Sequence, residues 1–467
     1  MRRLARGHLT AARAIEGGAA VRWQVGLAIL ALFCSFAVLP LEAASAQAAP
    51  SIVYFPATGH HLAEPFLSFW RNHGGLRIFG YPLSEAHERE GLLVQYFERA
   101  RMEAPPGCWG HADCPVQLTR IAALLTAGRT DPAFAPLSLQ TPPPETPLRR
   151  FCPETGHLLS YGFLRFWLRN GGLPVFGYPI SEEFSEVDPV TGQTLTVQYF
   201  ERARFEWHPE ALGTLWEVQL GRLGADLAQR DGIDTTPVPR QDGVPDYDPA
   251  LFPRAFRLPV LMYHDIGEPA ARYRIPLWRL EQQLDWLLAN GYVTISLEQA
   301  FEALLADGPF PERAIVITFD DGTRSQLTAA RALAVRNMTA TFFVVPGRSA
   351  LGPAELRELR TMGHEIGSHS VTHRALTRLD DGAVRWEALA SRQQLEEWLG
   401  EPVRFFAYPG GEWDSRVAAI VALTGYHGAM AAWGGTRWTR ERRWAEPRIE
   451  IDGRFALDRF TWYVERF

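Results

Sequence analysis

Short apolar segments alternate with amphipathic segments from Phe256 to the end of the chain. The apolar segments predict strands over Leu258 to Tyr263, Ala314 to Phe319, Thr339 to Val345, His364 to Ser368, Arg404 to Tyr408, His427 to Ala432 and Arg448 to Ile451. The segments between them have helical periodicity, as in Trp278 to Asn290, with Gly291 as its stop. Seven or so β/α units predict an α/β fold, a (β/α) barrel rather than an open sheet.

Upstream of the barrel, a pattern of about 50 residues occurs twice. Pro56 to Glu103 aligns with Pro153 to Glu206 with an offset of 97 that becomes 103 after an insertion. Three motifs recur, namely Thr-Gly-His at 58–60 and 155–157, Phe-Gly-Tyr-Pro at 79–82 and 176–179, and Gln-Tyr-Phe-Glu-Arg-Ala-Arg at 95–101 and 198–204. Each copy predicts a small α+β unit with a short amphipathic helix, such as Phe66 to Trp70, a Gly-Gly turn and one or two strands.

Proline-containing stretches divide the chain into domains. We expect a first repeat over 51–130, a linker over 131–148, a second repeat over 149–230, a linker over 231–255 and the barrel over 256–467. Residues 1–46 have the pattern of an export signal, because an arginine-rich start is followed by the apolar run Val25 to Leu41 and by Ala44-Ser45-Ala46. A 17-residue run is also compatible with an uncleaved membrane anchor.

The composition excludes several chemistries. The 467 residues are 46% hydrophobic and 21% charged, which is typical of a globular protein, and the net charge of −6 argues against phosphate-backbone binding. All 47 basic residues are arginine. The absence of lysine excludes a Schiff-base enzyme, a Walker-A loop and a Ser-Lys dyad. Fifteen tryptophans would suit a carbohydrate ligand, although most tryptophans are core or interface residues.

Three cysteines follow the apolar run that contains Cys34. Cys108 and Cys114 flank a short loop, so a local disulfide between them is our first expectation. The alternatives are a bond from Cys152 to either of them, or a metal site that would need further ligands.

Polar residues follow three of the predicted strands at their carboxyl ends, where a β/α barrel places its reacting groups. Asp320 and Asp321 follow one strand, His369 and His373 another, and His264 and Asp265 a third. If the strand before His369 continues into a helix, the two histidines face one way. With one carboxylate they would form a hydrolytic metal site, and the second aspartate could take a proton from the attacking water.

These residues resemble the polysaccharide deacetylases, the NodB-type group of carbohydrate esterase family 4, over roughly 256–467. Thr318 to Gly322 corresponds to that family's first motif and His369 to His373 to its second. The resemblance implies Asp320 as general base. It implies Asp321, His369 and His373 as ligands of a metal, usually zinc, although another divalent metal is compatible. It also implies removal of acetyl groups from an N-acetylated sugar polymer.

The third motif departs from the family pattern. Phe405 to Gly411 has alanine where the family carries an arginine that orients the base, and glycine in place of its tyrosine. We expect the Gly410 N–H to help hold the oxyanion and Arg448 to supply the missing guanidinium. Substrate contacts are expected from Tyr408 and Trp433, and Trp413 and Trp438 are further stacking candidates, although such tryptophans are as readily loop anchors.

The family's late Leu-x-His motif has its likeness early in this domain, at Val260 to Asp265. First and last strands are neighbours in a closed barrel, so a circular permutation would place His264 in the same position. We therefore expect His264 to be the general acid that protonates the leaving amine, with Asp265 as a partner that sets its pKa. The alternative is a structural histidine at a strand end.

The two repeats resemble the LGFP-type repeats of exported bacterial wall-associated proteins, through Gly-Tyr-Pro-x-Ser-Glu and the following Val-Gln-Tyr-Phe. Leu-Gly-Phe-Pro itself occurs only as Phe-Gly-Tyr-Pro. The resemblance implies a cell-wall glycan as a partner of the repeats, and the alternative is that their aromatic residues only build a core.

Together these observations predict an exported, metal-dependent polysaccharide N-deacetylase that is secreted or attached to the cell surface. Its expected partner is an N-acetylated polysaccharide, with no nucleic acid, and with a membrane only if the N-terminal segment stays uncleaved. The alternatives are a glycan-binding module that has lost turnover, an O-acetyl esterase and a hydrolase of a non-sugar amide.

Overall fold

The computed structural model describes residues 49–137, 143–188, 191–212, 214–252, 254–433 and 435–466. The expected export signal over 1–46 lies outside these residues. Within the described part of the chain, no helix combines the length and the apolar character needed to span a membrane.

A parallel sheet forms the frame of the C-terminal half. Its strands are β14 (Val260–Tyr263), β17 (Val293–Thr294), β18 (Ala314–Phe319), β19 (Thr341–Val344), β20 (Glu365–Ser368), β21 (Phe405–Ala407), β22 (Gly428–Met430) and β24 (Ile449–Glu450). Hydrogen bonds join them in the order β22-β21-β20-β19-β18-β14-β24, and β17 pairs with the start of β18. Every pairing in this sheet is parallel.

One segment near the C-terminus closes the sheet into a ring. Glu446 bridges to Met430 of β22, and three residues later Ile449 pairs with Leu261 of β14. The first strand of the barrel therefore lies beside the last one, and the predicted (β/α) barrel is confirmed. Most strand residues are fully buried, because interior side chains fill one face of the sheet and helices cover the other.

Helices alternate with these strands. They are α7 (Leu277–Ala289), α8 (Leu297–Ala306), α9 (Gln326–Ala334), α10 (Pro353–Thr361), α11 (Asp381–Leu399), α12 (Ser415–Ala422) and α13 (Leu457–Arg466). The boundaries lie within two residues of those predicted for the strands, and α7 begins and ends one residue before the predicted helix.

Helix α8 covers the amino ends of the barrel strands. Its apolar residues Leu297, Phe301 and Leu304 pack with the interior residues Val260 and Val316 in one core. The carboxylate of Glu365, at the start of β20, accepts hydrogen bonds from the N–H groups of Leu297 and Glu298 at 3.0 and 3.1 Å. These bonds satisfy two of the free N–H groups in the first turn of α8. Two short strand pairs flank the barrel: β13 (Ala255–Arg257) pairs with β23 (Arg437–Thr439), and β15 (Asp265–Ile266) pairs with β16 (Arg274–Ile275).

The two N-terminal repeats have the same order of elements. The first contains β1 (Ile52–Phe55), β2 (His60–Ala63), α1 (Phe66–Asn72), α2 (Gly75–Ile78), β3 (His87–Arg89), β4 (Leu92–Tyr96), β5 (Arg101–Ala104), β6 (Gln117–Leu118) and α3 (Ile121–Leu125). The second contains β7 (Arg149–Cys152), β8 (His157–Ser160), α4 (Tyr161–Arg169), α5 (Gly172–Phe176), β9 (Phe184–Val187), β10 (Thr194–Tyr199), β11 (Arg204–Trp207), β12 (Val218–Leu220) and α6 (Leu223–Arg230). Each has an antiparallel pair and a four-stranded antiparallel sheet, which is more strand structure than the sequence predicted.

Equivalent residues of the two repeats make reciprocal contacts. Arg99 donates to the carbonyl of Leu220 at 3.2 Å, and its counterpart Arg202 donates to the carbonyl of Leu118 at 3.3 Å. Two ion pairs between the repeats are equivalent in the same way: Arg222 of the second repeat pairs with Glu98 of the first, and Arg120 of the first pairs with Glu201 of the second. The repeats therefore pack on each other with approximate twofold symmetry.

In the first repeat, Cys108 and Cys114 form a disulfide, and Cys152 of the second repeat is a buried free thiol. Burial raises the pKa of Cys152 to about 11. This thiol is therefore protonated and unreactive at neutral pH.

The repeats dock on the amino-end side of the barrel, around α8. Arg71 of α1 pairs with the fully buried Asp307 through two hydrogen bonds of 2.9 and 3.1 Å. The hydroxyl of Tyr247, from the expected linker over 231–255, donates to the same carboxylate at 2.9 Å. Gln299 of α8 donates to the carbonyl of Arg169 in the second repeat at 3.0 Å. The expected linker is therefore part of the packed interface, and the carboxyl ends of the barrel strands point away from the repeats.

The segment that closes the barrel carries a buried acid. Glu446 is fully buried, its carboxylate oxygens have no hydrogen-bond partner among the described residues, and burial raises the pKa of its carboxyl to about 8. Glu446 is therefore protonated in the folded chain at neutral pH.

We predict that Glu446→Gln changes the pH dependence of stability. An unfolded glutamate ionises near pH 4.5 and the folded one near pH 8, so the native chain loses about 1.4 kcal/mol of unfolding free energy per pH unit in this window relative to the variant. Urea unfolding of both chains from pH 4 to pH 9 measures the difference. Parallel stability curves would contradict the buried, protonated state.

Candidate functional site

Three parallel strands bring the polar motifs to one end of the barrel. Asp320 and Asp321 follow β18, His264 follows the adjacent β14, and His369 follows β20. The strands are parallel, so these residues meet at the carboxyl edge of the sheet.

Asp321, His369 and His373 form a cluster that could hold a metal ion. One ligand atom from each lies within 4.8 Å of the others. The Asp321 carboxylate is 3.3 Å from Nε2 of His373 and 3.9 Å from Nε2 of His369. His369 is buried, whereas His373 and Asp321 are partly exposed, so the cluster opens to solvent on one side.

No helix forms between His369 and His373, so the condition under which the sequence placed both histidines on one helix face is not met. After β20 the chain forms an irregular loop, in which Ser370 and His373 have left-handed φ angles of 65° and 60°. The N–H of His373 donates to the Ser370 hydroxyl at 3.0 Å and fixes this turn. Asp321 is also left-handed, with φ of 79°. Strained backbone conformations of this kind are concentrated at functional sites.

A buried carboxylate of α11 holds the histidine loop. Glu387 accepts hydrogen bonds from the N–H groups of Val371 and Thr372 at 2.8 and 2.9 Å, and from the Thr372 hydroxyl. Sequence reasoning missed Glu387, because a single acidic residue within an amphipathic helix carries no signal of this contact.

The orientation of the His369 ring is fixed from behind. Its Nδ1 is 2.8 Å from the carbonyl of Ala407, at the end of β21. A carbonyl only accepts, so this contact places the ring proton on Nδ1 and leaves Nε2 free toward the cluster. Burial lowers the pKa of His369, against the opposing effect of Asp320. The neutral ring that a metal ligand requires is therefore favoured.

Asp320 forms a buried bidentate ion pair with Arg448. Nη1 and Nη2 of the guanidinium lie 2.6 and 2.8 Å from the two carboxylate oxygens, and Nε donates to the carbonyl of Ala431 at 2.9 Å. Burial by itself would raise the pKa of Asp320, but Arg448, His369 and His264 outweigh it and hold that pKa well below its usual range. Asp320 is thus an ionised carboxylate inside the barrel, 3.7 Å from Nε2 of His369.

His264 lies beside this carboxylate at the end of β14. The side-chain amide of Gln326 donates to the carbonyls of both His264 and Asp320, at 3.0 and 2.6 Å, and links the two strand ends. The His264 ring packs 4.7 Å from the ring of Tyr273, and its buried Nδ1 has no hydrogen-bond partner among the described residues. Sequence reasoning also missed Gln326, whose position in the first turn of α9 becomes informative only in three dimensions.

Asp265 is not placed as the expected partner of His264. Its carboxylate accepts from Ser325 at 2.5 Å and from Arg274 at 2.8 Å, and the hydrogen bonds described for it include none to His264. Successive side chains of an extended segment point in opposite directions, so adjacency in sequence separates the two groups.

Tyr408 is also placed differently from the expectation. Its ring is fully buried, its hydroxyl donates to the carbonyl of Trp444 at 2.7 Å, and its N–H donates to Met430 at 3.1 Å. Neither polar group is left for a substrate. Trp438, another stacking candidate, is fully buried below the barrel and therefore unable to stack on a sugar.

Gly410 and Trp433 both stay at the surface. Gly410 has a left-handed φ of 63°, and a Cβ there would meet no atom within 4 Å. The next residue, Gly411, fits closely against Ala432, where an added Cβ would lie 2.0 Å from the Ala432 Cβ. This contact holds the Gly410 turn against the loop that carries Trp433. Trp433 is 58% exposed and lines a cavity of about 350 Å³ together with Arg448 and Glu450.

The cluster has a donor set that fits a divalent cation. One carboxylate oxygen and two imidazole nitrogens are the set found in catalytic zinc sites, which keep a further position open. The carbonyl of Ala407 behind His369 is the supporting hydrogen bond that metal-bound histidines usually have.

Comparison with known proteins identifies the region that carries this site. Residues 307–429 match the sequence family described as polysaccharide deacetylase. The chain is 27% identical to YxkH of Bacillus subtilis (strain 168) over 215 residues, covering 45% of this chain and 76% of that protein. It is 30% identical to a peptidoglycan-N-acetylglucosamine deacetylase of Bacillus cereus over 144 residues, covering 30% of this chain and 65% of that protein.

A chitooligosaccharide deacetylase of Bradyrhizobium sp. (strain ANU 289) is 30% identical over 142 residues, covering 30% of this chain and 62% of that protein. The chain thus spans less than two thirds of the length of the Bacillus cereus and Bradyrhizobium relatives. Among solved structures, the Streptococcus pyogenes deacetylase PplD in complex with acetate matches with a TM-score of 0.43 and 21% identity, covering 45% of this chain and 99% of that chain.

The matched region contains Asp320, Asp321, His369 and His373 and ends within β22. Residues 307–429, which carry the candidate site, therefore match the polysaccharide deacetylase family.

Proposed function

We propose that this chain is an exported, metal-dependent enzyme that removes acetyl groups from the N-acetylated sugars of a cell-surface or extracellular polysaccharide. The observation that carries the proposal is the ionised Asp320, held by Arg448 at hydrogen-bond distance on both oxygens, beside the Asp321–His369–His373 cluster. A peptidoglycan deacetylase and a chitooligosaccharide deacetylase among the relatives support N-acetylglucosamine polymers as the substrate class.

We assign Asp321, His369 and His373 as the ligands of the metal, with zinc as the first choice among divalent cations. A cation bound there would lower the pKa of a water molecule and polarise the acetyl carbonyl. Asp320 lies close enough to this position to serve as the base.

We propose the following roles for the protein groups in the reaction. Asp320 accepts a proton from the attacking water as its oxygen bonds to the acetyl carbon. The N–H of Gly410 donates to the carbonyl oxygen as negative charge develops there. His264 then donates a proton to the amide nitrogen, the C–N bond breaks, and acetate and a free amino sugar leave.

Arg448 acts as a positioning residue and replaces the arginine that the family carries in its third motif. Arg448 reaches Asp320 from the segment before β24, and its Nε donates a hydrogen bond to the carbonyl of Ala431. Five donors in a rigid plane allow both contacts at once, so the carboxylate cannot rotate away from the cluster. The exposed ring of Trp433 lines the same cavity as Arg448, which supports our proposal that it stacks on a neighbouring sugar ring.

Export is supported by the N-terminal sequence pattern and by the disulfide between Cys108 and Cys114, because disulfides persist mainly in oxidising compartments. We propose that the protein is secreted or attached to the cell surface, where its polysaccharide substrate is found.

We predict that the chain binds one divalent cation at the cluster. His373→Ala should weaken zinc binding by more than about 100-fold, which exceeds the usual effect of changing an outer hydrogen-bond partner. Isothermal titration of the metal-stripped protein measures this. His427→Ala changes an exposed histidine outside the site and is the matched control; equal zinc affinity in all three chains would contradict the assignment.

We predict release of acetate from N-acetylglucosamine oligomers and from peptidoglycan, abolished by chelation and restored by zinc. Asp320→Asn keeps the shape but removes the base, so acetate release should fall by at least about 100-fold, the lower range for loss of general base catalysis. Acetate from a set of acetylated polymers, including acetylxylan, ranks the substrates. A folded, zinc-loaded chain that releases no acetate would contradict the proposal.

We predict that His264→Ala slows turnover about 100-fold or more on an N-acetyl sugar while zinc affinity is unchanged. An acetyl ester with a good leaving group needs no protonation, so its hydrolysis should be affected much less. Both substrates are assayed with the same zinc-loaded protein. Full turnover of the N-acetyl sugar by the variant would remove His264 from the mechanism.

A further inference from the structure

The second repeat contains an open cleft lined by two exposed or partly exposed aromatic side chains and by none of the residues of the deacetylase site. Tyr161, at the start of α4, and Trp207, at the end of β11, line a cavity of about 270 Å³. Three oxygen-bearing side chains complete the lining, namely Ser160, Glu183 and Thr196.

The backbone is strained where it forms the cleft. Tyr161 has a left-handed φ of 44°, although its ring is 56% exposed and contributes little to a core. The next residue, Gly162, lies so close to Trp207 that an added Cβ would be 2.8 Å from the indole ring. Strained backbone conformations are concentrated at active sites and ligand-binding positions.

The first repeat provides an internal comparison, because most of the residues that line the cleft differ there. Only Phe163 of the lining has the same residue type in the first repeat, as Phe66. The six other positions, 160, 161, 162, 183, 196 and 207, correspond in the first repeat to Ala63, Glu64, Pro65, Ala86, Leu93 and Ala104. The second repeat has thus gained two aromatic rings and three oxygen-bearing side chains at one place.

A loop covers this surface in the first repeat. The disulfide-bonded loop between Cys108 and Cys114 reaches back so that the N–H of Gly110 donates to the carbonyl of Glu64 at 2.7 Å. The Glu64 carboxylate turns to Ser68 instead of to solvent, and Ala104 is buried. A shared folding requirement would give both repeats the same lining, so the difference indicates a function of the second repeat.

The lining has the chemistry that recognises a sugar ring. Aromatic side chains pack against the apolar face of a pyranose ring. The Glu183 carboxylate and the hydroxyl groups of Ser160 and Thr196 can form hydrogen bonds with the hydroxyl groups of the sugar. The carboxylate of Glu183 at the edge disfavours an anionic ligand.

We propose that this cleft is a second polysaccharide-binding site that holds a neutral pyranose unit of the polymer acted on at the barrel. The inference rests on the proposed function for the identity of the polymer. The repeats dock at the amino ends of the barrel strands, so the cleft binds a different part of the polymer from the one at Asp320. Holding a polymer at two separated points raises the local concentration of substrate.

Titration of the hexamer of β-1,4-linked N-acetylglucosamine tests the site. The full chain with Asp320→Asn is expected to bind the hexamer at two sites, and adding Tyr161→Gly should weaken one of them about fivefold or more. Glycine adopts a positive φ without strain, so this variant keeps or raises the melting temperature. Loss of binding with unchanged or higher stability therefore excludes misfolding. Thr196→Leu, which restores the residue of the first repeat, should have the same effect.

Trp216→Ala is the matched control, because Trp216 is an exposed tryptophan of the same repeat outside the cleft. It should leave both binding events unchanged. Two outcomes would overturn the inference: a parent chain that does not bind the hexamer, or a Tyr161→Gly chain that binds it as the parent does. Acetate release by the unaltered chain is measured in parallel. If that assay fails while Tyr161-dependent binding persists, the catalytic proposal falls and the cleft remains.

Discussion

The buried ion pair between Arg448 and Asp320 joins the architecture of the barrel to its chemistry. The guanidinium of Arg448 comes from the segment that closes the ring between β22 and β14. It donates hydrogen bonds to the carbonyl of Ala431 and to the carboxylate of Asp320. An ionised aspartate inside a barrel is costly unless a partner of opposite charge meets it with good geometry. The segment that closes the barrel therefore also supplies the positive charge that keeps the proposed base ionised.

The remaining parts of the site are held by hydrogen bonds from neighbouring elements. Ala407 fixes the ring of His369, Glu387 fixes the loop that ends at His373, and Gln326 ties His264 to the strand end of Asp320. Each support comes from an element other than the one that carries the functional side chain. A site held in this way is preorganised, because its groups need not reorient when a substrate arrives.

The alternation of apolar and amphipathic segments was enough to predict the barrel, because buried parallel strands have continuous apolar sequences. The motif residues could be placed at strand ends for the same reason. The loop at His373 could not, since its left-handed backbone depends on Glu387, which is distant in sequence. Tyr408 and Asp265 were expected at the site from their neighbours in sequence, but hydrogen bonds to Trp444 and Ser325 direct them elsewhere.

A double-mutant cycle on the ion pair tests the central claim most directly. Acetate release by zinc-loaded Asp320→Asn, Arg448→Met and the double variant is compared with that of the unaltered chain, with zinc affinity measured for each. If Arg448 acts only by holding Asp320, the double variant loses no more activity than Asp320→Asn alone. Independent, multiplicative losses would contradict this account and would give Arg448 a separate role in the reaction.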